Sequence, residues 1–366
     1  MKTTPLQPEH EALGASFTDF GGWQMPVRYG NELAEHHAVR TSAGLFDISH
    51  MAEIRVSGSQ AAEFLDYALV NPSSAIAVTK AKYSLICAAD GGVIDDLIVY
   101  RLAESEYLVV ANAGNREVVA AELQSRAANF AGAAVTDESD DWALIAIQGP
   151  KSASILQQVC DQPLTEAKYY SILSARVDGV EVLIGRTGYT GEDGFEVFAP
   201  AASARQIWQV LLATGGSDIT PCGLACRDTL RLEAGMPLYG HELDREHNPF
   251  EAGFAKVVRL DRAEDFVGKA SLEKIASAPI ARRLISLVGE GKRAARQGYE
   301  IFEPGSDRAI GVITSGALSP TLGYPVAMGY IDTSVAAEVG TKLEVDVRGT
   351  RLEFTVSAAP FYKRSK

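Results

Sequence analysis

The sequence predicts an α+β protein that closes on an all-β C-terminal barrel or sandwich. Up to about residue 275, segments with helical 3/4 spacing alternate with strand-like segments. Beyond Ala281 the pattern changes to RRLISLV, AIGVIT, VAMGYI, KLEVDV and RLEFTVS, short alternating runs separated by Gly, Pro and Asp turns. The chain has 366 residues, and a single core stops growing near roughly 250–300 residues, so two or three domains are expected.

In chain order, Asn31–Arg40 (NELAEHHAVR) reads as a helix within an otherwise irregular first fifty residues. Ala52–Ser57 alternates like a strand, and Ser59 is a candidate cap for a helix through Val70. Lys82–Ala88 and Val93–Leu102 flank Ala89-Asp90-Gly91-Gly92, a hairpin signal. A strand at Tyr107–Ala111 and a helix over Asn115–Phe130 follow. A new unit opens at Trp142 with the strand WALIAIQ, and Gly149-Pro150 starts a helix through Cys160. Strands surround Asp178-Gly179, and helices are expected over Ala204–Ala213, with Ser203 a candidate cap, and Gly223–Glu233. Leu272–Ile280 is the expected linker to the β-rich end.

Composition narrows the function. Net charge is −13, which argues against a general binder of nucleic acid or anionic membranes, since both need a positive footprint. No run approaches the roughly 18 apolar residues of a membrane span, and the N-terminus lacks an apolar signal core. A soluble, cytoplasmic protein is expected. Cys87, Cys160, Cys222 and Cys226 are too sparse for a disulfide framework and are expected as reduced, buried thiols.

Common catalytic signatures are missing. There is no GxSxG, and Gly289-Glu290-Gly291-Lys292 continues with Arg293 where a phosphate loop needs Ser or Thr. His241-Glu242 opens like HExxH, but Arg245 stands at the second His position, so no metal site is expected. Three segments remain. In Gly92-Val93-Ile94-Asp95-Asp96-Leu97-Ile98, two adjacent carboxylates sit in an apolar strand. Neighbouring strand residues point to opposite faces, so a strand covered on both faces must bury at least one acid, at a cost of several kcal/mol unless it is hydrogen-bonded. Such an acid is a catalytic candidate; an edge strand with both acids in solvent is the other reading. Arg186–Glu196 (RTGYTGEDGFE) is glycine-rich and could hold a flat heterocycle against Tyr189, or serve only as a connection. Arg227 and Arg231 lie on neighbouring faces of the 223–233 helix, placed to grip a carboxylate or to pair with Asp228 or Glu233.

These segments together resemble the glycine cleavage T-protein family over nearly the whole chain. The resemblance rests on Asp19-Phe20-Gly21-Gly22-Trp23-Gln24-Met25-Pro26, on Asp47-Ile48-Ser49-His50-Met51 and on the Asp95-Asp96 strand. It continues through Gln148-Gly149-Pro150, the glycine-rich loop, the Arg227 helix, Asn248-Pro249-Phe250-Glu251-Ala252-Gly253, Phe266-Val267-Gly268-Lys269 and Thr314–Thr321 (TSGALSPT). Ala52 stands where the family usually has Gly, and the tail after Phe361 is short. The resemblance implies a three-domain cloverleaf around a central folate channel. It would comprise a discontinuous folate-binding domain (residues 1–50 and 140–275), an inserted α/β domain (51–139) and a C-terminal β-barrel (280–366).

The implied activity is transfer of the methylene carbon of an aminomethyl group, carried on lipoylated H-protein, to tetrahydrofolate, with no metal. Carried over by motif, Asp96 is the key acid, and Glu196 accepts hydrogen bonds from the pterin. Arg227 pairs with or orients the ligand-side acids. Tyr83, Met51, Tyr100, Asn112, Tyr170 and Tyr189 line the channel, and Arg296 serves the active centre or the carrier-facing mouth. Two relatives of the same fold are the alternatives: a folate-dependent demethylase of a small methylated compound, and a non-catalytic folate-binding protein. The latter carries a KGCYxGQE-like stretch, where this chain has Phe266–Ser271 without cysteine.

Overall fold

The computed structural model describes residues 1–364. Two sheets and a barrel organise the chain. The first sheet has six strands in the order Ile172–Val177, Val180–Gly185, Gly194–Pro200, Trp142–Gln148, Ala43–Asp47, Ile219–Pro221. Its last pair is parallel and the neighbours Trp142–Gln148 and Ala43–Asp47 are antiparallel. The second sheet, of five strands, is spliced between those two neighbours: Ala81–Cys87, Val93–Ala103, Glu106–Ala111, Ala52–Ser57, Ala134–Asp137. The C-terminal strands close a six-stranded barrel, Arg282–Gly289, Pro325–Asp332, Ala309–Leu318, Glu300–Phe302, Lys342–Asp346 and Arg351–Ser357. The fold is α+β with an all-β C-terminal barrel, as the alternation of its strands implies.

Each unit has its own apolar core. Leu45, Ile145, Ile184, Phe195, Val197 and Trp208 fill the first, Ile54, Phe64, Leu97, Val109 and Leu123 the second, and Leu287, Ile313, Val345 and Phe354 the barrel. A further cluster, including Ile48, Tyr100, Val110, Leu144, Phe198 and Leu230, joins the two sheets. The two sheets thus face each other across a shared apolar layer, which is where a cavity between them has to lie.

Local signals mostly hold. The Asn31 side chain caps the helix Glu32–Thr41, accepting from the Leu33 and Ala34 N–H groups at 2.9 and 3.3 Å. Ser59 does not cap the next helix; Ala61–Ala68 starts after Gln60, with no side-chain cap. The Gly149-Pro150 turn leads to a shorter helix than expected, Ser152–Gln157. The expected linker is largely helix, Lys269–Ser277. Its Leu272 is fully buried with Val70, Leu85 and Phe266 against the inserted sheet, and that packing outweighs the Ser and Pro that suggested a linker.

A buried ion cluster ties the units together. Arg40 pairs with Glu233 at 2.7 Å and with Glu192 at 2.9 Å. Glu233 also accepts from Ser319 Oγ at 2.5 Å and Thr321 Oγ1 at 2.7 Å, both on the barrel. Tyr362 lies 4.0 Å over the Arg40 guanidinium. Burial alone would raise Glu233, but hydrogen bonds from His36, Ser319 and Arg40 outweigh it and hold the carboxyl down at about 2. Burial keeps His36 below its ordinary value, so the cation of the cluster is Arg40.

Glu233→Ala, which leaves Arg40 buried without its main partner, is expected to lower stability by about 3–5 kcal/mol in a urea melt. The folded carboxyl lies below its ordinary 4.5, so the unfolded chain binds the extra proton and stability falls with pH from about 4.5 to 2. Glu233→Gln should flatten that acid limb; an unchanged limb would remove Glu233 as its source.

Candidate active site

A cavity of about 570 Å³ opens between the two sheets, the helix Leu224–Glu233 and the segment 236–239. Asp96, Asn112, Tyr83 and Met51 line it from the inserted sheet and its edges, and Glu196 from the six-stranded sheet. Arg227 comes from the helix, and Tyr170 and Tyr189 from loops. Eight of the ten residues singled out in the sequence therefore meet around one space.

Asp96 reaches the cavity by the ordinary alternation of its strand, which begins just after a break in register. Ile86 pairs with Asp95 but Cys87 pairs with Val93, so Ile94 is an extra residue on its strand. A bulge resets the in–out alternation. After it, Leu97 and Val99 join the core of the inserted unit, while Ile98 and Tyr100 join the layer between the sheets. Asp96, in phase with Ile98, faces the cavity.

The side-chain amide of Asn112 bridges the two acids, donating to Asp95 Oδ1 and Asp96 Oδ1, each at 2.9 Å. Asp95 is fully buried and also accepts from the Asn112 backbone N–H at 2.9 Å and from Asn115 Nδ2 at 2.8 Å. Asp96 Oδ2 accepts from the Tyr83 hydroxyl at 3.0 Å. Burial, and then the Asp96 charge, push Asp95 above the carboxylate range; burial raises Asp96 as well. Such a pair titrates as a unit. Three N–H groups address Asp95, and one amide N–H and the Tyr83 hydroxyl address Asp96, so burial is only partly offset and the pair keeps a proton to higher pH than an exposed acid would.

Across the cavity, Glu196 is held from behind. Thr187 Oγ1 donates to Glu196 Oε2 at 2.5 Å, and the Tyr100 hydroxyl lies 3.3 Å from the same oxygen and 2.8 Å from Thr187 Oγ1. Both contacts engage Oε2, leaving Oε1 turned to the cavity. Burial raises the Glu196 carboxyl, opposed by these hydroxyls and by Arg227. Arg227 makes no ion pair among the described residues; its guanidinium lies 4.7 Å over the Tyr189 ring. The structural pairing weighed from the sequence falls to Arg231, which binds Asp228 at 2.7 Å and Glu242 at 3.1 Å.

The glycine-rich loop connects and positions. Arg186 grips Asp193 with two bonds, at 3.1 and 2.6 Å. A Cβ at Gly188 would meet Gln148 Oε1 at 2.0 Å, so only glycine lets Tyr189 come this close to the sheet.

Two residues singled out do not line the cavity. Tyr100 is fully buried behind Glu196. Arg296 is exposed on the barrel and donates to the Gly316 carbonyl at 3.1 Å. Other lining residues were not singled out: Phe20, His50, Phe254 and the run Met236-Pro237-Leu238-Tyr239. His50 was legible inside the Asp47–Met51 motif. It is 2% exposed with an unpartnered Nδ1, and burial plus Arg227 push it down to about 4. For the 236–239 run the only local signal was Pro237 between Gly235 and Gly240.

Fold and cavity define an enzyme with a paired acid on one wall and an anchored carboxylate beside an unpaired guanidinium on the other. Residues 6–262 match the family model described as the GCVT N-terminal domain, and 282–363 the glycine cleavage T-protein C-terminal barrel domain. The chain is 55% identical to an aminomethyltransferase of Saccharopolyspora erythraea over 365 residues, covering 100% of this chain and 99% of the relative. A Bacillus pumilus aminomethyltransferase is 43% identical over 369 residues, covering both chains fully. The crystal structure of glycine cleavage system aminomethyltransferase T from Bartonella henselae superposes with a TM-score of 0.92 at 37% identity, covering 99% of this chain and 98% of that one. The chain belongs to the glycine cleavage T-protein family, and its activity is aminomethyl transfer. No helix among the described residues is long and apolar enough to cross a membrane.

The Asp96 charge helps raise Asp95 to about 7, so Asp96→Asn should move the Asp95 midpoint down. Carboxyl-carbon NMR across the pH range reads this directly; an unmoved Asp95 midpoint would separate the two acids.

Proposed function

We propose that the cavity binds tetrahydrofolate and that Asp96 is the acid of the transfer. The methylene carbon of an aminomethyl group on the lipoyl arm of H-protein passes to the folate there. The carbon–sulfur and carbon–nitrogen bonds to the aminomethyl carbon break and two bonds to folate nitrogens form. Ammonia, 5,10-methylenetetrahydrofolate and dihydrolipoyl H-protein leave. One observation carries this reading: a single space of ligand size is lined by Asp96 from the inserted sheet, by Glu196 from the six-stranded sheet and by Arg227 from the helix.

The residues fit a reduced pterin. Glu196, pinned at Oε2, presents Oε1 to the ring N–H and amino groups, and charge-assisted bonds of this kind contribute about 1.5–3 kcal/mol each. Tyr83, Tyr170, Tyr189 and Phe254 offer aromatic walls to a flat heterocycle. Arg227, without a competing ion pair, keeps its donors for anionic or carbonyl groups of the ligand and steadies the Glu196 charge. Asp96, raised by burial, passes a proton to the departing amine, a role that contributes about 10²–10⁴-fold in rate. The apolar residues Ile48, Ile98, Val110 and Leu144 keep water from the reacting carbon.

Asp96→Asn is expected to leave folding and folate affinity largely intact while lowering the transfer rate at least about tenfold. The assay is methylenetetrahydrofolate formation from aminomethyl-lipoyl H-protein; undiminished turnover would take Asp96 out of its role. Glu196→Ala should weaken tetrahydrofolate binding about tenfold or more by calorimetry, the loss of one charge-assisted contact. Equal affinity would refute the pterin contact.

A further inference from the structure

Met236-Pro237-Leu238-Tyr239 form one wall of the cavity, yet the run follows the helix end without continuing as helix or extended strand. Its place is set from outside. The Met236 carbonyl accepts from Arg231 Nη1 at 3.3 Å, and the Leu238 N–H donates to Glu242 Oε2 at 2.9 Å. The Pro237 carbonyl accepts from the Tyr189 hydroxyl. Arg231 and Glu242 themselves pair at 3.1 Å, with relative exposures of 1% and 0%. A buried pair holds its neighbours firmly only when its remaining donors and acceptors are also satisfied.

The barrel satisfies them. Thr314 Oγ1 donates to Glu242 Oε1 at 2.5 Å, and Arg231 Nη2 donates to Ser315 Oγ at 2.8 Å. Consecutive strand residues ordinarily point to opposite faces. Here Ile313 pairs with Gly329 and Ser315 with Met328, so Thr314 is an extra residue. That bulge lets both hydroxyls reach one ion pair. Asp228 completes the set, accepting from Arg231 Nε at 2.8 Å.

We propose that Arg231, Glu242, Thr314 and Ser315 are positioning residues through which the barrel sets the 236–239 wall and hence the grip on the cavity's ligand. None of the four lines the cavity. The barrel hydroxyls fix the ion pair, the pair fixes two backbone groups of the wall, and the wall closes on the pterin. The last step rests on the tetrahydrofolate reading.

Thr314→Val removes the hydroxyl at nearly constant volume, and Thr314→Ser returns it. With the full-length enzyme, tetrahydrofolate Kd and KM should rise about tenfold in Thr314→Val, the effect of one buried hydrogen bond to a carboxylate. kcat should stay near wild type, and Thr314→Ser should restore binding. Amide hydrogen exchange at Leu238, read without ligand and against Ile145 in the six-stranded sheet, should quicken in Thr314→Val alone. Wild-type affinity in Thr314→Val, or exchange that quickens equally at Leu238 and Ile145, would overturn the positioning role. A wild-type enzyme that binds no tetrahydrofolate would instead overturn the ligand reading, while Leu238 exchange still decides whether the barrel holds the wall.

Discussion

The helix Leu224–Glu233 turns three charged side chains inward, and the way each is compensated governs much of the molecule. Charge buried without partners costs several kcal/mol. Glu233 is met by Arg40 and two barrel hydroxyls, and Arg231 by Glu242, Asp228 and a third barrel hydroxyl. Those needs can be met only where the helix, the glycine-rich loop and the barrel come together, so they fix how the units sit. Arg227 is the exception. One turn before Arg231, it has an aromatic ring beneath it and no carboxylate, so its charge is left for whatever enters the cavity.

Both strands that deliver polar groups to this region carry a bulge. The extra residue Ile94 precedes the regular alternation that turns Asp96 to the cavity and leaves Asp95 buried among amide donors. The extra residue Thr314 brings two successive hydroxyls to one ion pair. A regular strand would have sent one of those two hydroxyls to the wrong side. The irregularity lets an apolar sheet carry function without surrendering its core.

Sequence periodicity resolved the elements because burial and alternation coincide in them: Ala52–Ser57 and Trp142–Gln148 appear as read. The order of the sheets was not legible from spacing. The inserted strands interrupt the six-stranded sheet, and only long-range pairing shows it. The helix Lys269–Ser277 was hidden because Leu272 packs with Val70 and Leu85 of the inserted unit, far away in sequence. At the site, the acid pair stood out because adjacent carboxylates in an apolar strand demand compensation, and Asn112 and Asn115 supply it. The 236–239 wall did not stand out because its backbone groups, rather than its side chains, are what the ion pair holds. Nothing in Met-Pro-Leu-Tyr announces that.

The two carboxyl systems of the cavity have different surroundings, in keeping with the different tasks proposed for them. Glu196 is approached at Oε2 by hydroxyls, with Arg227 drawing on it across the space, and these partly offset the burial that raises its carboxyl. Asp96 lies beside a second buried acid that shares the Asn112 amide with it, with a phenol donating to its other oxygen. Two buried carboxyls this close do not both ionise freely, so the pair keeps a proton to higher pH than an isolated acid would. Under the proposed reading the carboxyl on the six-stranded sheet recognises the ligand and the pair on the inserted sheet supplies the proton, each shaped by its own wall.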